Sequence, residues 1–179
     1  MENKQNFFEF FGLEPSPLLD EQALKKKYYD NMRAWHPDLH TLKSEEEQEK
    51  MLDRSTFNNR AFQTLLEPDK RLAYLLELHG RQIEGSGAQL PPDFLMEMME
   101  WNEKLAELEM DPHEQELAAF RQKLEELENQ LQKDILPVMQ AYRFHSASEE
   151  QLDALQNFLF KRRYLLRIKE KLSTFAPPS

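Results

Sequence analysis

The chain has 179 residues, a formal net charge of −10, 40% apolar residues and no cysteine. That length suits one compact domain or two small ones, with apolar residues enough for a core. The acidic balance argues against nucleic acid as the main ligand, because phosphate binding needs clustered Lys and Arg, and the missing cysteine removes disulfides, thiolate catalysis and thiolate metal ligation.

Glycine is scarce, at 4 residues. Glu, Gln, Lys, Leu and Met are plentiful, which favours helix over strand. The expected fold class is all-α. The first residues lead into Phe7-Phe8 with no apolar signal segment. No apolar run approaches the ~20 residues of a membrane span. The expected location is the cytoplasm.

In chain order, Phe7, Phe8, Phe10, Phe11 and Leu13 form an aromatic cluster ending near Pro15. Asp20 is the expected N-cap of a helix running to Trp35. Leu24, Tyr28, Met32 and Trp35 fall on one face of it, while Lys25, Lys26 and Arg33 point away. Pro37 biases His36 out of the α region, so the helix ends there. Ser44-Glu45-Glu46-Glu47 is a capping box opening a second long helix, with Met51, Phe57, Ala61, Phe62 and Leu65 as its buried face. A 36–43 loop between two long helices implies an antiparallel pair. Asp69 is the expected cap of a shorter helix holding Leu72, Tyr74, Leu75 and Leu78.

Gly80, Gly85 and Gly87 then mark a linker. Pro91-Pro92-Asp93 opens a helix to about Leu108. Asp111-Pro112 has the pattern of N-cap followed by first helical residue. Leu117, Phe120, Leu124, Leu127, Leu131, Ile135, Val138 and Tyr142 recur at three- and four-residue steps, and Pro137 should kink or end that helix. Ser148-Glu149-Glu150-Gln151 is a second capping box before a helix to about Thr174. Three long helices with short turns imply an antiparallel three-helix bundle.

His36-Pro37-Asp38 is the segment richest in chemistry. An isolated triplet of this kind is most often a helix-terminating turn. A catalytic dyad would need a nucleophile, a metal or a second acid nearby, and His40, His79, His113 and His145 are scattered without ligand spacing. The expectation is no enzyme activity, no cofactor and no metal site. A binding role has a physical basis: a basic helix leads into an exposed polar loop, which suits an acidic surface on a protein partner.

Residues 6–78 resemble a J domain, the module that stimulates ATP hydrolysis by DnaK-type chaperones. The resemblance rests on the basic helix with Tyr28-Tyr29, on His36-Pro37-Asp38, on Asn58-Asn59-Arg60-Ala61-Phe62 with Leu65, and on Leu66 through Tyr74. It implies chaperone contacts at Lys25, Lys26, Arg33, His36, Pro37 and Asp38, with Asn58 and Arg60 bracing the helices. The second module lacks the Gly/Phe-rich and cysteine-repeat segments of general J proteins. The whole chain resembles instead the HscB family of co-chaperones of iron–sulfur cluster assembly. The best C-terminal marks are Phe94 through Glu103 and Arg163-Tyr164-Leu165-Leu166. That family implies a J domain over 1–79, a linker at 80–91, a client-binding bundle over 92–176 and a tail at 177–179.

The resemblance also implies two partners, an HscA- or DnaK-type chaperone and the scaffold protein IscU, with no nucleic acid or membrane. The scaffold-binding positions would be Leu95, Met96, Met99, Glu100, Glu103, Arg163 and Tyr164. One feature of that face is readable without the family. Phe94, Met98, Trp101, Leu105 and Leu108 make one core stripe, and Leu95, Met96 and Met99 fall off it, so the apolar surface is wider than one seam needs. A broad buried stripe with methionine as gap-filler is the plain alternative. A J protein with another client, or a helical assembly protein with an accidental His-Pro-Asp, are the competing functional readings.

Overall fold

The structure is a computed structural model that describes residues 5–35, 38, 44–83 and 91–176. Among the described residues are seven α-helices and the 3-10 turn Phe144–Ser146, and no strand. They divide into two compact units. One holds the residues up to His79 together with Tyr142–Ser146; the other holds the rest from Gly80 onward.

In the first unit, α1 (Phe7–Phe10) is a single turn locked by a capping box. The Asn6 side chain accepts from the Glu9 N–H at 2.9 Å, and Glu9 reaches back to the Asn6 N–H. Gly12 follows with φ 58, a left-handed conformation that glycine adopts without a Cβ clash. Phe7 stacks on Tyr74 at 4.4 Å and meets Phe57 edge-on, and its N–H donates to the Tyr74 hydroxyl. The aromatic cluster thus pins α1 onto the helices that follow.

Helix α2 (Glu21–Trp35) is capped by Asp20, which accepts from the Gln22 and Ala23 N–H groups at 2.9 and 3.1 Å. Helix α3 (Glu45–Leu66) starts with the Ser44 capping box. Tyr28 stacks on Phe62, Asn31 bonds Asn58, and the Arg54 guanidinium lies over Trp35. Rising numbers on one helix meet falling numbers on the other, so the pair is antiparallel. The buried face of α3 differs from the expected one. Ser55, Asn58, Ala61 and Leu65 are buried, while Met51, Phe57 and Phe62 are only half-buried. A polar side chain takes the centre because it has partners there. Asn58 is fully enclosed, accepting from Asn31 Nδ2 at 3.0 Å and donating to the Tyr28 carbonyl at 3.3 Å.

Helix α4 (Pro68–Leu78) is capped two residues before the expected position. Pro68 is its first residue and Glu67 its N-cap, so Asp69 lies in the first turn. Proline fits there because the first N–H of a helix has no acceptor. Arg71 is buried, donating to the Leu65 carbonyl at 2.8 Å and the Pro17 carbonyl at 3.1 Å. It ties the end of α3 and the α1–α2 connection to α4.

In the second unit, Gly80 turns the chain with φ 76. Arg81 pairs with Glu149 and Asp153, and the Gln82 carbonyl accepts from Gln156. The expected linker 80–91 is therefore bonded to the last helix as far as Ile83, and 84–90 lie outside the described residues. Helices α5 (Pro92–Met110), α6 (Glu114–Ala141) and α7 (Glu149–Phe175) form the bundle. Trp101 meets Phe120 and Lys104 meets Glu116, so α5 and α6 run antiparallel. Glu128 pairs with Lys169, and Arg121 donates to the Ala176 carbonyl, so α6 and α7 do too.

Phe94, Met98, Leu105 and Leu108 of α5, Leu117, Phe120 and Leu124 of α6, and Leu165, Ile168 and Leu172 of α7 close the bundle core. Leu159 of α7 is fully buried. Asp111 ends α5 and does not cap α6: the first helical bond of α6 runs from the Leu117 N–H to the His113 carbonyl. Helix α6 continues through Pro137 to Ala141. Tyr142, assigned by periodicity to the α6 seam, lies past the helix end within the first unit. Its hydroxyl is 2.6 Å from His79 Nε2. Among the described residues no helix is long and apolar enough to cross a membrane.

Candidate interaction sites

Each unit presents one surface that its own packing does not require. On α2, Lys25, Lys26 and Arg33 are exposed, as is Asp38 beyond the helix end. Lys25 keeps a loose i,i+4 pair with Glu21 at 3.5 Å, the kind of surface pair that adds little stability. Tyr29 lies between them at i,i+4 spacing and is 56% exposed. Sequence reasoning grouped it with Tyr28, whose ring it meets edge-on at 5.2 Å, while Tyr28 itself packs on Phe62 and donates to Asn59. The Lys25–Tyr29–Arg33 spacing was the available signal. Lys27, the next residue along from Lys26, is half-buried and donates to the Gly12 carbonyl at 3.4 Å. His36 and Pro37 lie outside the described residues.

On α5, Phe94 and Met98 turn into the core, and Leu95, Met96 and Met99 turn out. These three are 42%, 67% and 64% exposed. Three adjacent apolar side chains in water carry a standing hydration cost of ~25 cal/mol per Å² of surface, recoverable by a partner. Glu100 and Glu103 are exposed beside them. The other two predicted positions have internal partners. Arg163 is half-buried and donates to the Ile83 carbonyl at 3.3 Å. The Tyr164 hydroxyl accepts from Asn102 Nδ2 at 2.6 Å, and its ring meets Phe94 edge-on. Asn102 also donates to the Met98 carbonyl at 2.7 Å. It clamps α5 to α7 behind the apolar patch, and no periodicity pointed to it. Among the described residues no group of three or more His, Asp or Glu is placed to hold a metal ion.

Residues 90–173 match the family model of the HSCB C-terminal oligomerisation domain. Over 172 residues the chain is 31% identical to a co-chaperone HscB homologue of Shewanella halifaxensis, covering 94% of this chain and 95% of that protein. The chain belongs to the HscB co-chaperone family. It is thus a J-type co-chaperone of iron–sulfur cluster assembly. An Aeromonas hydrophila HscB homologue is 38% identical over 122 residues, 66% of this chain and 70% of that one. The crystal structure of human co-chaperone HscB superposes with a TM-score of 0.77 at 26% identity, covering 97% of this chain and 83% of the human one. HscB from Vibrio cholerae gives 0.72 at 26% identity, covering 94% and 96%. Both HscB structures share the helical architecture described above.

Proposed function

We propose that this HscB-family protein acts in the cytoplasm as a two-ended adaptor. The first unit engages an HscA- or DnaK-type chaperone in its ATP state and accelerates hydrolysis through the His36-Pro37-Asp38 loop. The second unit holds the IscU-type scaffold on the exposed face of α5. The observation that carries this reading is the outward turn of Leu95, Met96 and Met99 from a helix whose core stripe is already complete. The exposed row Lys25, Lys26, Tyr29 and Arg33 supports the other end, since it offers charge for steering and an aromatic for contact.

No catalytic group is required of this chain. It works by binding, and holding both partners raises the effective concentration of scaffold at the chaperone without a new contact. Single-turnover ATP hydrolysis by the chaperone tests the first half: His36→Gln should remove the stimulation. Stimulation equal to the parent's would refute it. Titration of apo-scaffold tests the second: a folded Leu95→Ala, Met99→Ala double variant should bind at least about tenfold more weakly. Parent-like affinity would return those side chains to incidental surface.

A further inference from the structure

Between α5 and α6 lies a groove of about 270 Å³ with a hydrocarbon floor. Trp101 and Phe120 form that floor, their ring centroids 5.0 Å apart, and the exposed Ala119 leaves one wall low. We propose that the client-docking face of α5 continues into this groove, where one aliphatic or aromatic side chain of the same client inserts against Trp101 and Phe120. The inference rests on the reading that α5 holds the client.

Three observations support it. The first is continuity. Glu100 lines the groove and also borders the exposed patch, because Met96, Glu100 and Lys104 form one i,i+4 row along α5. A client lying over Met96 and Met99 reaches the groove by crossing that row. The second is charge. Glu100, Glu116, Lys104 and Lys123 stand around the rim, two of each sign, and Lys104 is held by Glu116 at 2.7 Å and Glu107 at 3.2 Å. A balanced rim gives no net pull on an ion, so apolar contact selects the guest. The third is size. The space lies below the ~300–1,000 Å³ of pockets that enclose drug-sized ligands, which suits a single side chain. A half-buried tryptophan in a small pocket is the kind of residue on which binding energy concentrates. A client gripping α5 on both sides would gain mainly in residence time.

The chain has two tryptophans, Trp35 and Trp101. The full-length protein labelled with 5-fluorotryptophan is titrated with unlabelled apo-scaffold and followed by fluorine NMR. The Trp101 resonance, assigned from a Trp35→Phe variant, should shift saturably and lose part of its H₂O/D₂O isotope shift as the guest excludes water. Ala119→Phe, which fills the groove from an exposed position, should weaken scaffold binding by about tenfold. An unmoved Trp101 resonance at saturation, or parent-like binding by folded Ala119→Phe, overturns the proposal. If Ala119→Phe does not fold, the resonance alone decides. The underlying reading fails separately, and only if Leu95→Ala, Met99→Ala also binds like the parent.

Discussion

Tyr164→Phe separates a client-facing hydroxyl from a bracing one. In the structure the hydroxyl accepts from Asn102 Nδ2 at 2.6 Å, and the same amide nitrogen donates to the Met98 carbonyl at 2.7 Å. Phenylalanine keeps the ring and its edge contact with Phe94. What is lost is one hydrogen bond, leaving one Asn102 N–H without its acceptor. A net bond is worth about 0.5–1.5 kcal/mol, and an orphaned buried donor about 1–3 kcal/mol. Both residues are half-buried, so water partly replaces the hydroxyl and the expected loss is about 1 kcal/mol. For a unit of this size that is roughly 4–8 °C in Tm.

Urea unfolding followed by Trp101 fluorescence, in a Trp35→Phe background, reports the second unit separately from the first. Scaffold affinity should stay within about twofold, because the hydroxyl is spent on Asn102. Unchanged stability together with a tenfold loss of scaffold binding would refute the bracing role and give the hydroxyl back to the client.

Asn58→Leu removes both bonds that Asn58 makes to α2 and should cost the first unit about 1–3 kcal/mol, with a matching fall in urea midpoint. A neutral result would mean that apolar packing alone holds the α2–α3 pair. Arg71→Met strips two carbonyls of their buried donor and should cost about 2–4 kcal/mol by thermal unfolding. Burial raises the Tyr142 hydroxyl well above its ordinary pKa, and it raises Tyr74 too, against the opposing bond from Phe7. The folded protein then keeps protons that the unfolded chain releases. This contribution is complete below pH ~10 and falls as pH rises beyond it. Tyr142→Phe and Tyr74→Phe should therefore flatten the alkaline loss of stability. An unchanged slope in either variant would remove that tyrosine as a cause.

Local grammar made much of this fold legible. Asp20, Ser44 and Ser148 cap the helices their sequence patterns announced, because a side-chain oxygen two or three residues before a free N–H needs no distant partner. The split of α5 into an inward and an outward apolar row was legible for a similar reason: helical periodicity alone separates Phe94 and Met98 from Leu95, Met96 and Met99. Start signals competing over two or three residues were less legible. Asp69 and Asp111 both looked like caps, and each was displaced by a neighbour whose backbone had the better position. Tyr142 fell on the α6 seam by spacing, yet the helix ends at Ala141 and its hydroxyl meets His79. Spacing cannot say where a helix stops once its neighbours decide.

By itself, the amino-acid sequence determined that this protein is helical, where most helices begin, and which residues of α2 and α5 face away from their own stripes. These are properties of segments a few turns long, and their physics is local. Only the tertiary structure decided which polar residues lie inside and which aromatic residues remain outside. Asn58 is buried because Asn31 and the Tyr28 backbone come to it from another helix. Tyr164 is occupied because Asn102 reaches it across the bundle, while Tyr29 stays exposed. The groove over Trp101 exists only where α5 passes α6 at the small side chain of Ala119. Each depends on residues far apart in the chain meeting at bonding distance, which no single helix's pattern encodes.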